Sequence, residues 1–233
     1  MHQMQDYATR MALQQHSLNV HTNGANWVTL GRPWWRAIWI ECAELMAHYG
    51  TWEWWKKTEP DMPQVRLEMV DIFHFGLSQM IEERSSMDAA VTALLADLDT
   101  TASTRESADP KEFIRQVEFM AKYALTSHTF SAYSFLSAWA ALGSDFKELY
   151  QIYMGKNVLN LFRQKYGYKE GRYHKNWGGK EDNWHLVNII ADTPDDVPEA
   201  EFFAEVEKRL KEAYFAAGYG ASAQTIAQRS ANY

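Results

Sequence analysis

Four carboxylates stand in two pairs at helical spacing. Glu41 and Glu44 are three residues apart within the run 34–46, and Glu68 and Asp71 are three apart within the run 67–73. That separation puts both members of a pair on one helix face. An isolated E-x-x-E is ordinarily a solvated face, but both flanks here are apolar: Ile38, Trp39, Ile40 and Leu45 around the first pair, Met69, Val70 and Ile72 around the second. A carboxylate buried without a partner costs several kcal/mol or titrates to neutrality. Arg36, Arg66 and His74 are the cations close by in sequence, too few for four acids. Oxygen ligands without thiolates select a hard cation, Mg²⁺ or alternatively Mn²⁺. Two such ions can clamp a phosphate and generate a hydroxide beside it. Ion pairing to Arg or Lys from elsewhere in the fold is the competing explanation. His74 follows Asp71 at i+3, a faint echo of di-iron bundles, but those need a second E-x-x-H on a comparable helix. None is evident, so His74 reads as a core or supporting histidine.

A second feature is a concentration of positive charge. Segment 156–183 holds seven basic residues and three acids, so it carries +4 and leaves −11 for the rest of a chain whose net charge is −7. Lys156, Asn160 and Arg163 recur at i, i+4 and i+7, one face of a helix. Lys169, Lys175 and Lys180 then follow along a glycine-punctuated stretch with Tyr168, Tyr173 and Trp177. Lys and Arg suit phosphate oxygens, and glycine lets backbone approach an anion closely. Three uses compete: a solvated loop, a single-strand nucleic-acid surface of alternating basic and aromatic residues, or a triphosphate clamp. An acidic remainder of −11 disfavours extended nucleic-acid contact and suits a compact, highly charged ligand.

The elements that must position these groups read as helices almost throughout. The chain has 233 residues with only 12 Gly and 6 Pro, and 46% of it is apolar. The pattern predicts an all-α protein of one domain spanning 1–233, with helices near 4–19, 33–49, 63–84, 111–125, 128–142, 145–165 and 199–217. Pro33 suits a first helical turn, and Gly50 suits a C-cap. The helix carrying Glu41 is apolar almost all round and is expected to be largely buried. The short connector 51–62 makes an antiparallel hairpin the natural way to turn the two acidic pairs toward each other. Segments 21–31, 97–110 and 167–179 read as loops, the tail from Gly218 as frayed, and no strand-length alternation competes. One cysteine, Cys42, excludes an internal disulfide framework. Residues 1–10 have no apolar leader stretch, and no run approaches a membrane span. The expectation is a cytoplasmic protein with no membrane partner. Ten Trp residues ask for a large core, an aromatic pocket or both.

At these residues the sequence resembles the dimeric dUTP diphosphatases of the all-α nucleoside triphosphate pyrophosphohydrolase superfamily. The resemblance lies in residues 13–19 and 22–27, in 41–45 with Trp52 and Trp55, in 65–75, and in 155–160 through 181–183. The paired acidic motifs are common to the superfamily, whereas the last stretch is specific to the dimeric branch. The resemblance implies a helical bundle whose central antiparallel helices carry E-x-x-E and E-x-x-D. It implies a homodimer acting on a deoxyuridine nucleotide, with dUTP, and also dUDP, as substrates and with dUMP and pyrophosphate released from dUTP. Glu41, Glu44, Glu68 and Asp71 would hold Mg²⁺, with Glu41 or Glu44 orienting the attacking water. Lys156, Arg163, Lys169, Lys175 and Lys180 would meet phosphate oxygens. Gln15 and Asn19 would read the uracil edge, since an amide can pair with a carbonyl and an N–H at once. Trp52, Asn160 and Asn183 complete the nucleoside set, and Trp27 and Trp55 are further candidates for its walls. The spacing of Gln15 and Asn19 is one residue off the family pattern, which leaves dCTP or a modified deoxypyrimidine triphosphate as alternative substrates.

Overall fold

A computed structural model describes residues 2–103, 108–194 and 197–220. Nine α-helices dominate the described residues: α1 (His2–Asn23), α2 (Trp34–Tyr49), α3 (Met62–Arg84), α4 (Met87–Ser103), α5 (Pro110–Ser127), α6 (Ala132–Ala141), α7 (Phe146–Lys165), α8 (Asp182–Ala191) and α9 (Glu199–Ala216). The fold is all-α, as the sparse breakers predict. The chain clusters into two compact units, residues 1–154 and 155–233.

Local chemistry sets the helix ends in the first unit. The Asp61 side chain caps α3 by accepting from the Gln64 N–H at 3.3 Å, with Pro63 in the first turn. Asp109 does the same for α5 through Lys111 N–H at 2.8 Å, and Ser131 caps α6 through Ser134 N–H at 3.2 Å. Gly50 ends α2 with φ +65°, and a Cβ there would lie 2.3 Å from Thr58 Cγ2. Only glycine fits that corner. Helices α2 and α3 form the expected antiparallel hairpin. The start of α2 meets the end of α3, where the Trp34 indole donates to Glu82. The end of α2 meets the start of α3, where His48 Nε2 lies 3.7 Å from Glu68 Oε1.

Two expectations need correction. Helix α2 buries one face only, through Ile38, Cys42, Leu45 and Tyr49, and Ile40 is exposed. The centre of the unit is instead α3, which contributes fourteen buried residues. It buries polar side chains along with the apolar ones, Glu68, His74, Ser78 and Gln79 among them. The expected loop at 97–110 is helical to Ser103, because α4 carries Leu94 into the core and continues through small residues that do not break it. Residues 104–107 of that stretch lie outside the described residues.

In the second unit the glycine-rich loop contains a short hairpin that the sequence did not announce. Asn176–Trp177 pairs antiparallel with Lys180–Glu181 across Gly178 and Gly179, both at positive φ. The Asp182–Asn188 region then opens α8, also unanticipated. Trp177 is fully buried, surrounded by Phe162, Tyr173, His185 and Tyr214. Gly155 on α7 leaves room for Ile190, whose Cδ1 would sit 2.5 Å from an added Cβ. Most of the tail expected to fray, residues 221–233, lies outside the described residues.

Candidate active site

Helix periodicity brings three of the four predicted carboxylates together. One ligand oxygen from each of Glu41, Glu44 and Glu68 falls within 4.8 Å of the others. Glu68 is buried, Glu41 is half-buried and Glu44 is exposed, so the cluster runs from the hairpin interior to its surface. Asp71 stands outside that set of three, yet its charge is felt. Burial first, then the Asp71 charge, a hydrogen bond with Glu68 and the charges of Glu68 and Glu44 push the Glu41 carboxyl up to about 9. The same Glu41 charge, after burial, pushes the Cys42 thiol up to about 12.

The neighbouring cations are engaged elsewhere. Arg66 Nε is 2.9 Å from Glu148 Oε1 and 3.3 Å from Ser144 Oγ. Arg36 lies over the Trp35 ring at 4.8 Å. His74 is buried against α1, its Nδ1 2.7 Å from Gln15 Oε1. His48 also faces Glu68, a neighbour that sequence reasoning missed because it sits a full turn beyond Glu44 and outside both motifs. Carboxylate oxygens converging from two helices are a donor set that suits a hard divalent cation.

Gln15 and Asn19 lie one turn apart on α1 and are 3% and 4% exposed. Gln15 Nε2 donates to Asn19 Oδ1 at 3.1 Å, and Asn19 Nδ2 donates to Ser78 Oγ at 2.9 Å. Tyr153, on α7, donates its hydroxyl to Gln15 Oε1 at 2.5 Å and stacks on His74 at 4.2 Å. Trp27 is fully buried and donates its indole N–H to His16 Nδ1. Trp52 and Trp55 are exposed on the α2–α3 connector, packed edge to face at 5.4 Å, with Trp54 beside them.

The basic residues of the second unit divide into two groups. Lys156 is 1% exposed, and its ammonium donates to Asn183 Oδ1 at 3.0 Å. Arg163 makes a two-pronged contact with Asp182, both N–H···O distances 2.8 Å, and also reaches Asn160 and Asn183. Burial would raise the Asp182 carboxyl, but Arg163, and then Tyr173, hold it below the usual carboxylate range. By contrast Lys169, Lys175 and Lys180 are exposed. Lys175 lies 3.7 Å from Glu181, and Lys180 lies over the Trp184 ring at 5.6 Å.

With two acidic pairs on an antiparallel helix hairpin, the sequence profile of one family decides the identity. Residues 8–168 match the dUTPase family. The chain belongs to the dimeric all-α dUTPase family. No curated protein matches it. Family membership makes the chain a dUTP diphosphatase, an enzyme that hydrolyses dUTP. The matched span includes all four carboxylates, Gln15, Asn19, Lys156 and Arg163, and stops at Tyr168, before the hairpin and α8. No helix among the described residues is long and apolar enough to cross a membrane.

Proposed function

We propose that the chain hydrolyses dUTP, and also dUDP, in a reaction that depends on Mg²⁺, or Mn²⁺, held by Glu41, Glu44 and Glu68 with Asp71 beside them. The observation that carries this reading is the convergence of three carboxylates within 4.8 Å. A divalent ion at such a site neutralises phosphate oxygens and lowers the pKa of bound water. The chain's own groups do the rest. Glu44 is the exposed member of the cluster and therefore the carboxylate best placed to accept a proton from an approaching water. Glu41 and Glu68 sit deeper and serve as ligands. The exposed Lys169, Lys175 and Lys180 supply ammonium groups for phosphate oxygens. Lys156 and Arg163 act one step behind, by holding Asn183 and Asp182 in place. Gln15 and Asn19 meet the base, and Trp52 the nucleoside. The active species is a homodimer in the cytoplasm.

Glu68→Gln tests the metal reading. It preserves shape and removes one charged ligand, so pyrophosphate release from dUTP in Mg²⁺ should fall at least 100-fold with the helical circular dichroism unchanged. Full activity in a folded Glu68→Gln protein overturns the assignment. A panel of dUTP, dUDP and dCTP on the parent protein fixes the substrate range, and light scattering fixes the oligomeric state.

A further inference from the structure

Hydrogen-bond polarity in the chain joining α3, α1 and α7 has a single origin. Ser78 Oγ lies 2.7 Å from the His74 carbonyl one turn back on α3. A serine hydroxyl has one proton, and a carbonyl can only accept, so that proton is committed to His74 O. Ser78 Oγ must then accept from Asn19 Nδ2 at 2.9 Å. This turns Asn19 Oδ1 toward Gln15 Nε2, and it leaves Gln15 Oε1 to accept from both Tyr153 and His74 Nδ1, at 2.5 and 2.7 Å. Tyr153 is fully buried, and burial raises its hydroxyl well above 10, so it remains a donor. Both acceptor positions of the Gln15 carbonyl are thereby filled, and its remaining uncommitted polar hydrogen is the second N–H of Nε2.

We infer that Ser78 and Tyr153 are positioning residues that fix Gln15 as a donor toward the base, so that the site selects a pyrimidine with a carbonyl over one with an amino group at the same position. This rests on the proposed contact between Gln15 and the base. Uracil and cytosine differ at C4, a carbonyl acceptor in the first and an amino donor in the second, and at N3, a donor N–H in the first and an acceptor in the second. The Gln15 N–H reads the C4 difference. An N–H facing a carbonyl makes a hydrogen bond, whereas an N–H facing an amino group leaves both unpaired in a dry site. Reversing the chain would turn the Gln15 carbonyl outward and favour the amino base. Without the Ser78 hydroxyl nothing opposes that reversal, because Tyr153 can instead donate to the Met11 carbonyl at 3.3 Å and His74 can carry its proton on the other nitrogen.

The test is the ratio of kcat/KM for dUTP to that for dCTP. Ser78→Ala should lower the ratio about tenfold, the worth of one misdirected hydrogen bond. Tyr153→Phe should lower it in the same direction, and Ser78→Thr, which keeps the hydroxyl, should restore it. Loosened packing would instead slow both substrates together and leave the ratio alone. An unchanged ratio in folded Ser78→Ala overturns the inference. Gln15→Met separates this from the underlying contact: unchanged dUTP turnover in that variant overturns the base contact itself.

Discussion

Glu41 makes opposite demands on stability and activity, and Glu41→Gln should expose the conflict. In the metal-free protein the carboxyl is raised from 4.5 to about 9, chiefly by burial and then by the Asp71 charge. A group raised on folding contributes stability that is fully present below its unfolded pKa and is lost as pH rises through the folded one. The folded metal-free protein therefore loses stability steadily from about pH 4.5 toward pH 9. At pH 7 the gap between 7 and 4.5 corresponds to about 3 kcal/mol, and solvent screening of a half-buried side chain trims this to about 1–3 kcal/mol. Gln carries no charge at any pH and nearly matches the protonated acid in shape.

In EDTA at pH 7, Glu41→Gln should therefore be more stable than the parent by about 1–3 kcal/mol, or about 2–12 °C in Tm for a chain of this size. The difference should vanish near pH 4.5 and widen at pH 8.5. Added Mg²⁺ should reverse the trend, since an ion that binds only the folded state stabilises the parent by mass action, while the variant has lost a ligand. Activity on dUTP should be lost throughout. Thermal unfolding followed by circular dichroism at three pH values, with EDTA or Mg²⁺, gives all of these. A Glu41→Gln protein no more stable than the parent in EDTA at pH 7, or a difference independent of pH, would refute the claim that burial and the neighbouring carboxylates raise the Glu41 carboxyl.

Other outcomes follow from the same structure. Asp182 is held below its ordinary value chiefly by Arg163, against its own burial, so its contribution is fully present above about pH 4 and is lost as pH falls through the lower folded value. Asp182→Asn should cost about 3 kcal/mol at neutral pH, by leaving Arg163 without its counter-charge, and should flatten the acid limb of stability measured by urea titration. Gly50→Ala should destabilise the first unit by at least about 1 kcal/mol, because φ is +65° and the added Cβ meets Thr58 at 2.3 Å. A Gly50→Ala Tm equal to the parent's would show that the corner relaxes. Trp177→Ala should cost about 3–5 kcal/mol, having removed a fully buried indole at the centre of an aromatic cluster.

What could be read from the sequence depended on whether the signal was local. A helix end with a chemical cause was legible: Gly50 closes α2 in the left-handed conformation. The two acidic pairs were legible for the same reason, since a spacing of three fixes a shared face. The burial of α2 was misjudged because its all-round apolarity does not say which neighbour covers it. α3, with more polar residues, turned out to be the central helix. The hairpin at 176–181 was hidden because two-residue strands have no periodicity, and α8 because Asp182 and Asn183 look like loop residues until Arg163 and Lys156 are seen to bind them. His48 was hidden because its link to Glu68 crosses from one helix to the next.

The two charge clusters of this chain are built on opposite rules, and the contrast says which is structural. Around Asp182 each formal charge meets its opposite at hydrogen-bond distance: the two Arg163 nitrogens at 2.8 Å, with the Tyr173 hydroxyl at 2.8 Å as a further donor. Such a network is complete within the protein, and its energetic consequence is a carboxyl pulled below its ordinary value. Around Glu41 burial comes first and the neighbouring carboxylates add to it, the Arg66 guanidinium five positions before Asp71 pairs with Glu148, and the consequence is a carboxyl pushed far above its ordinary value. One acid is thus paired at hydrogen-bond distance, while three others converge within 4.8 Å of one another. The raised carboxyl of Glu41 and the lowered one of Asp182 are the same physics with opposite outcomes: burial and neighbouring acids prevail at the first, and a paired guanidinium prevails over burial at the second.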